Sequence, residues 1–321
     1  MKVLVVGGAG YIGAHIVDLL CDQNHEVVVF DNLSSGFKEN LNKKSKLFVG
    51  DILKPKDLEN VFSKFRFDSV IHMAALKAAG ESMVESDRYS GNNIMGSINL
   101  ISASIKYEIK NFIFSSTAAI YGEPKYNPID EKHPKAPINH YGFTKLMVEN
   151  YLSWIQNISN MKYVAFRYFN AAGYTEKENL IIYKEKKPQN LLPTVMEVAS
   201  GLRPKLQVFG DDYDTPDGTC IRDYINVIDL AEAHIKALEY LETGDSCSMN
   251  LSTNTGHSVL DVIDVAQKIV RTKIKYEITD RRPGDPTILI SSYKEAKDKL
   301  GWIPRKSSLE EIISSMWKHY K

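Results

Sequence analysis

The chain has 321 residues, 43% hydrophobic and 25% charged, proportions of an ordinary globular protein that exclude disorder, a collagen-like repeat and a disulfide scaffold. Lys plus Arg number 40 and Asp plus Glu number 40, so no global field would steer the protein onto nucleic acid. Cys21, Cys220 and Cys247 lie far apart with no C-x-x-C pair, which argues against a zinc site and fits a reducing, cytoplasmic setting.

From the N-terminus, short β-branched runs alternate with amphipathic stretches, the pattern of βαβ units wound onto a parallel sheet. Val3 to Val6 reads as a buried strand. Gly7 and Gly8 cut it off before it could serve as a signal-peptide core, and no apolar run is long enough to span a membrane. Ile12, Ile16, Leu19 and Leu20 then recur at helical spacing, and Glu26 to Asp31 reads as the second strand. Lys38 to Lys46 is the one basic stretch and is expected as a solvated loop. Further strands are expected at Leu47 to Val49, Ser69 to Met73, Phe112 to Ser115 and Val164 to Arg167. Helices are expected around Pro55 to Phe65, Asn93 to Tyr107 and Tyr141 to Ile155. Beyond about residue 170 the alternation weakens, and Tyr174 to Gln189 is polar and Lys-rich. The expected division is therefore residues 1–170, holding six strand-helix steps, and a smaller α/β unit over 171–321. Cys220 to Val227 reads as a strand, within a segment near 219–232 that returns to the first unit.

Gly7-Gly8-Ala9-Gly10-Tyr11-Ile12-Gly13 follows a predicted strand and opens a predicted helix, the context of a dinucleotide-binding turn. Glycines there let the backbone approach a pyrophosphate whose charge sits at the helix N-terminus, although a purely structural turn would look the same. Asp31 closes the second strand 18 residues after Gly13, where a carboxylate binds both ribose hydroxyls and repels a 2′-phosphate, favouring NAD over NADP. Asp31-Asn32 is also ordinary turn chemistry. Asp51-Ile52, after the third strand, could receive the adenine, and Gly50-Asp51 could equally be a turn. The fold class that follows is α/β, a Rossmann-type doubly wound parallel sheet with a smaller C-terminal α/β part.

Tyr141 and Lys145 stand four residues apart at the start of a predicted helix, on one face. A phenol with its ordinary pKa near 10 is a poor base at neutral pH, but a neighbouring ammonium would lower it. An exposed helix face would show the same spacing. Ser115-Ser116-Thr117 ends the fifth strand at the carboxyl edge of the sheet, where open α/β folds bind their ligands, and Thr117 offers a hydroxyl there. Arg222 and Arg282 could clamp a diphosphate, or could be surface ion-pair residues.

Taken together, the glycine loop, Asp31-Asn32-Leu33, Thr117-x-x-x-Tyr121-Gly122 and Tyr141-x-x-x-Lys145 resemble the extended short-chain dehydrogenases/reductases. Five further stretches resemble the branch of that family that inverts C4 of UDP-hexoses: His72 to Ser82, Arg167 to Asn170, Asn190 to Pro193, Asp217 to Tyr224 and Arg281 to Asp285. The resemblance implies NAD as cofactor, held by Gly7, Gly10, Tyr11, Ile12, Gly13, Asp31, Asn32, Asp51, Ile52, Ala74, Lys77, Asn92 and Tyr168, with Tyr141 and Lys145. It implies Thr117, Tyr141 and Lys145 as the catalytic group, and no metal. It also implies that Asn170, Asn190, Leu191, Arg222, Tyr224, Arg282 and Asp285 grip the UDP portion. The implied reaction interconverts UDP-glucose and UDP-galactose through a 4-keto sugar, in a homodimer. Leu289, four residues beyond Asp285, falls where the family gates N-acetylated sugars, which would make weak activity on UDP-N-acetylhexosamines an expectation; it could instead pack in an apolar strand. Thr117 stands where many members carry Ser, and His140 where many carry Pro. Related dehydratases carry Asp-Glu directly after the Thr, and here those positions are Ala118 and Ala119. A non-catalytic NAD-binding module would need no Tyr141 with Lys145.

Overall fold

The apolar runs of the first half pair in register as parallel strands, because each is apolar on both faces and needs cover on both. The computed structural model describes every residue except Glu176, 178–187 and Pro283. Strands β1 (Lys2–Val6), β2 (Glu26–Asp31), β3 (Lys46–Val49), β4 (Ser69–His72), β5 (Asn111–Thr117) and β6 (Lys162–Tyr168) lie where the alternation predicts them. The sheet order is Cys247–Leu251, β6, β5, β4, β1, β2, β3, all parallel. Strand order reverses between β1 and β4, so their carboxyl ends open a crevice.

Helices Tyr11–Asp22 and Val227–Leu241 cover one face, packing Ile16, Leu20, Leu230 and Leu238 onto Val3, Val5, Ile113 and Phe166. On the other face Leu58, Phe62, Leu100 and Leu152 meet Leu4, Phe30, Phe112 and Phe114. A third core joins Leu192, Val195, Val208, Val262, Ile263, Ile312 and Ile313 in the second half of the chain.

Three expectations change. The sheet has a seventh strand, Cys247–Leu251, which hydrogen-bonds to β6. Its sequence, Cys-Ser-Met-Asn-Leu, carries polar residues that edge pairing tolerates, so it has no strong apolar signature. Second, the predicted strand Cys220 to Val227 is two short strands, Ile221–Arg222 and Tyr224–Asn226, and neither joins the main sheet. Tyr224–Asn226 pairs with Asn170–Ala172, while Ile221–Arg222 pairs with His257–Ser258 and Ile288–Leu289. The chain returns to the first half instead through helix Val227–Leu241 and the seventh strand. Third, the helix expected from Asn93 begins as a wide π-type turn, Ser90–Met95, before the regular helix Gly96–Lys106. Much of the polar segment Tyr174 to Gln189 lies outside the described residues.

Candidate functional site

A cleft of about 1480 Å³ opens at the carboxyl ends of β1, β2, β4 and β5 and continues between the two halves of the chain. On its nucleotide side the glycine turn is forced by packing. A Cβ on Gly13 would sit 2.4 Å from the Gly7 carbonyl oxygen, and one on Gly7 would sit 2.5 Å from the Ala74 backbone nitrogen. Gly7 also adopts φ +80°, open to glycine at no steric cost. Helix Tyr11–Asp22 starts from this turn with no side-chain cap on Gly10, so its first N–H groups face the cleft as an anion cradle. Asp31 is buried at the tip of β2, accepting hydrogen bonds from Ala9 N (3.0 Å) and Leu33 N (2.8 Å). Burial pushes its carboxyl pKa up and those two N–H groups oppose the rise. Glycine turn, helix start and carboxylate together fit the pyrophosphate and adenosine ribose of a dinucleotide.

Asn32, Ile52, Ala74, Lys77 and Asn92 line the same cleft, whereas Asp51 does not. The Asp51 carboxylate accepts from Leu53 N at 2.9 Å and from Asn32 Nδ2 at 3.3 Å, between Gly50 and Ile52, which do line the cleft. The basic stretch is more than a solvated loop: its lysines are exposed, but Asn40 is buried and donates to Ala9 O at 3.0 Å, and Phe37 N donates to the same oxygen at 3.1 Å.

The opposite wall carries Thr117 at the end of β5, with Tyr141 and Lys145 on helix His140–Ile155. Asn139 caps that helix by accepting from Gly142 N at 2.8 Å, and Tyr141 N donates to Ser82 Oγ at 2.9 Å. Tyr141 lies beside Thr117; burial pushes the phenol pKa up to about 12, and the Thr117 hydroxyl partly offsets the rise. Lys145 is buried. Its ammonium donates to Ser115 O at 2.6 Å and lies 4.7 Å from the centre of the Phe114 ring. Desolvation pulls its pKa down to about 7, against the attraction of Glu149. Tyr168 at the end of β6 is held through its hydroxyl, 2.7 Å from His234 Nε2. Burial keeps His234 neutral, with its pKa lowered to about 4, and its Nδ1 donates to Leu230 O, so Nε2 accepts the Tyr168 proton.

Across the cleft, Asn170, Asn190, Leu191, Arg222, Tyr224, Arg282 and Asp285 all line the wall built by the second half. Arg222 Nη2 is 3.6 Å from Asp285 Oδ1, and the Arg282 guanidinium lies 4.2 Å from the Phe209 ring centre. Leu191 begins a helix whose Asn190 makes no side-chain cap, leaving the Asn190 amide for a ligand. Leu289 pairs with Arg222 in register, lines the cleft and packs against the cluster of Ala118, Ile120 and Phe169, so its place is compatible with either role.

Every predicted site residue except Asp51 therefore lines one cleft. Residues not singled out from sequence are those that hold the named ones. Asn93, one position beyond Asn92, bonds Leu76 N and O and donates to Thr144 Oγ1, tying the loop after β4 to the catalytic helix. His234 and Glu149 carry no signal in the sequence, while Ser115 and Arg167 fall in the Ser115-Ser116-Thr117 and Arg167-Tyr168-Phe169-Asn170 stretches without a role assigned to them there. Among the described residues there is no cluster of three or more His, Cys, Asp or Glu able to hold a metal, and no helix long and apolar enough to cross a membrane.

The model of the NAD dependent epimerase/dehydratase family matches residues 3–251. A UDP-glucose 4-epimerase of Halalkalibacterium halodurans is 43% identical, the match covering 100% of this chain and 96% of that protein. The crystal structure of UDP-glucose 4-epimerase from Brucella ovis in complex with NAD superposes with a TM-score of 0.96 at 40% identity, covering 99% of this chain and 98% of that one. The Bifidobacterium longum UDP-glucose 4-epimerase in complex with NAD+ and UDP gives a TM-score of 0.95 at 36% identity, covering 99% and 98%.

Proposed function

The chain belongs to the NAD dependent epimerase/dehydratase family, and from that premise we propose that it is an NAD-dependent epimerase acting at C4 of a UDP-hexose, interconverting UDP-glucose and UDP-galactose. The observation that carries the reading is the single cleft in which the glycine turn and Asp31 face Thr117, Tyr141 and Lys145, with Arg222 and Arg282 beyond them. Bound NAD supplies a C4 hydride acceptor, then its donor, and a positive ring that favours the phenolate form of Tyr141. Tyr141 takes the 4-hydroxyl proton, Thr117 orients that oxygen, and Lys145 holds positive charge beneath both. Arg222 and Arg282 anchor the diphosphate bidentately while Asn190 and Leu191 hold the rest of the nucleotide. With the nucleotide fixed and the hexose loosely held, the 4-keto sugar turns about the diphosphate linkage and presents its other face. Ala118 and Ala119 offer no acid or base for eliminating water, so the reaction stops at inversion.

The enzyme is read as a cytoplasmic homodimer. Its three cysteines are free. Phe143, Met147 and Trp154 are exposed apolar residues along helix His140–Ile155, with Trp154 67% exposed, and Met83, Val84 and Met95 are exposed as well.

Purified protein incubated with UDP-galactose and no added cofactor should yield UDP-glucose, with nicotinamide released only on denaturation. A requirement for stoichiometric added NAD or NADPH, or a dehydrated product, would overturn the reading. Leu289, of intermediate size and exposed to the cleft, should admit UDP-N-acetylglucosamine at a low rate. Leu289→Tyr should abolish that activity and spare UDP-glucose, because steric exclusion acts only on the larger sugar. Parallel losses in competition assays with both sugars would make Leu289 a packing residue.

A further inference from the structure

Behind the catalytic group lies a buried ion pair that the reaction above does not use. Glu149 and Arg167 are both almost fully inaccessible, with Arg167 Nη2 2.8 Å from Glu149 Oε2 and Nε 3.1 Å from Oε1. Ser116 Oγ donates to Glu149 Oε1, and Arg167 Nη1 donates to the Tyr121 hydroxyl at 2.8 Å. Tyr121 in turn donates to Asn250 Oδ1 at 2.6 Å. An isolated buried ion pair is poor evidence for stability, since apolar replacements of similar volume often do as well. Its contacts suggest a different use.

Tyr141, Lys145 and Glu149 occupy positions i, i+4 and i+8 of one helix, stacked along one face. Two of them are fastened to consecutive residues of β5, Lys145 to Ser115 and Glu149 to Ser116, and Tyr141 lies beside Thr117, the next residue of that strand. Ser116 and Arg167 are register partners on β5 and β6, so both approach Glu149 from the same sheet face. The network also grips Tyr121, which closes the turn that follows Thr117. The two elements that carry Thr117, Tyr141 and Lys145 therefore meet at one carboxylate, which Arg167 ties to β6.

We propose that Glu149, held by Arg167 and Ser116, is the positioning residue of the catalytic group: it fixes the axial register of the helix against β5, setting Tyr141 and Lys145 relative to Thr117, with its carboxylate one helical turn from Lys145. The proposal rests on the epimerase reading above. Other groups facing Lys145 do not replace Glu149 in this. His72 approaches from β4 but is buried and neutral, its pKa lowered to about 3. Arg167, 2.8 Å from Glu149 Oε2, and Lys135, 3.9 Å from the same oxygen, are cations paired with the carboxylate itself. Tyr141, on the same helix, carries no charge until it acts.

The test compares Glu149→Gln, Ser116→Ala and the apolar pair Glu149→Leu with Arg167→Met, each as purified protein with its retained nicotinamide measured. Glu149→Gln should lower kcat by roughly 10- to 100-fold, the cost of a small misplacement of reacting groups, with KM for UDP-galactose within about twofold. Losing the carboxylate next to Lys145 removes the attraction that holds its proton, so Lys145 gives it up more easily and the alkaline limb of the kcat profile moves to lower pH. Ser116→Ala should lower kcat less and leave that limb in place, because no charge is removed. The apolar pair should melt at or above the wild-type temperature yet still show the loss in kcat. Should Glu149→Gln fail to fold, the other two variants decide. Wild-type kcat in the apolar pair, or a fall in melting temperature alone in Ser116→Ala and Glu149→Gln, overturns the proposal. Failure of the parent reading shows separately, as wild-type protein that does not convert UDP-galactose.

Discussion

Tyr141→Phe should lower kcat roughly 10³-fold, within the range a positioned acid-base group contributes, while KM for UDP-galactose changes by no more than a few-fold. On the proposed mechanism the phenol makes its largest contribution when the proton leaves the sugar oxygen, and Arg222 and Arg282, the proposed diphosphate anchors, lie on the far wall of the cleft. Its pH dependence has a definite sign. Burial pushes the phenol up to about 12, so in the protein alone it is protonated at neutral pH. The base form is populated as pH rises, and positive charge in the cleft brings that rise to lower pH. Wild-type kcat should therefore climb through an acid limb that the residual activity of Tyr141→Phe lacks. Steady-state rates over a pH series measure both quantities; a variant with near-normal kcat and the same limb would place the base elsewhere.

Gly13→Ala should yield protein without bound nicotinamide. The new Cβ would lie 2.4 Å from the Gly7 carbonyl oxygen and 2.8 Å from Gly8 Cα, both backbone atoms that no rotamer change can move. Relief requires the turn to open or helix Tyr11–Asp22 to slide, and either displaces the N–H groups aimed at the pyrophosphate. Such overpacking costs about 1–3 kcal/mol of stability, so the protein should still fold and bind UDP through its other wall. Nicotinamide released on denaturation, alongside calorimetric titration with UDP, separates the two effects. Nicotinamide retained at the wild-type level would show that the turn has slack the packing denies. Gly10→Ala is the internal comparison: its Cβ meets only the Gly7 oxygen, at 3.3 Å, and should be far milder.

That contrast marks how much was legible in the amino-acid order. Short apolar runs alternating with amphipathic segments determined the doubly wound sheet, because a strand apolar on both faces is stable only with helices on both sides. Glycines after β1 and a carboxylate at the end of β2 determined the nucleotide wall, since both depend on positions a few residues from a strand end. Sequence made Gly7, Gly10 and Gly13 look equivalent, and only the tertiary packing distinguished the two that admit no side chain. It likewise gave Asp51 the look of a ligand, and only the fold shows that this carboxylate also accepts from Leu53 and Asn32. The seventh strand escaped notice because an edge strand is selected by its neighbour β6 rather than by its own apolarity. Glu149 and Arg167 are ordinary charged residues of a helix and a strand until β5 and β6 bring Ser116 beside Arg167 and the helix lays Glu149 across both. Local order determines which residues can do chemistry; the distances between residues remote in sequence, and hence protonation and alignment, are set only when burial brings them together.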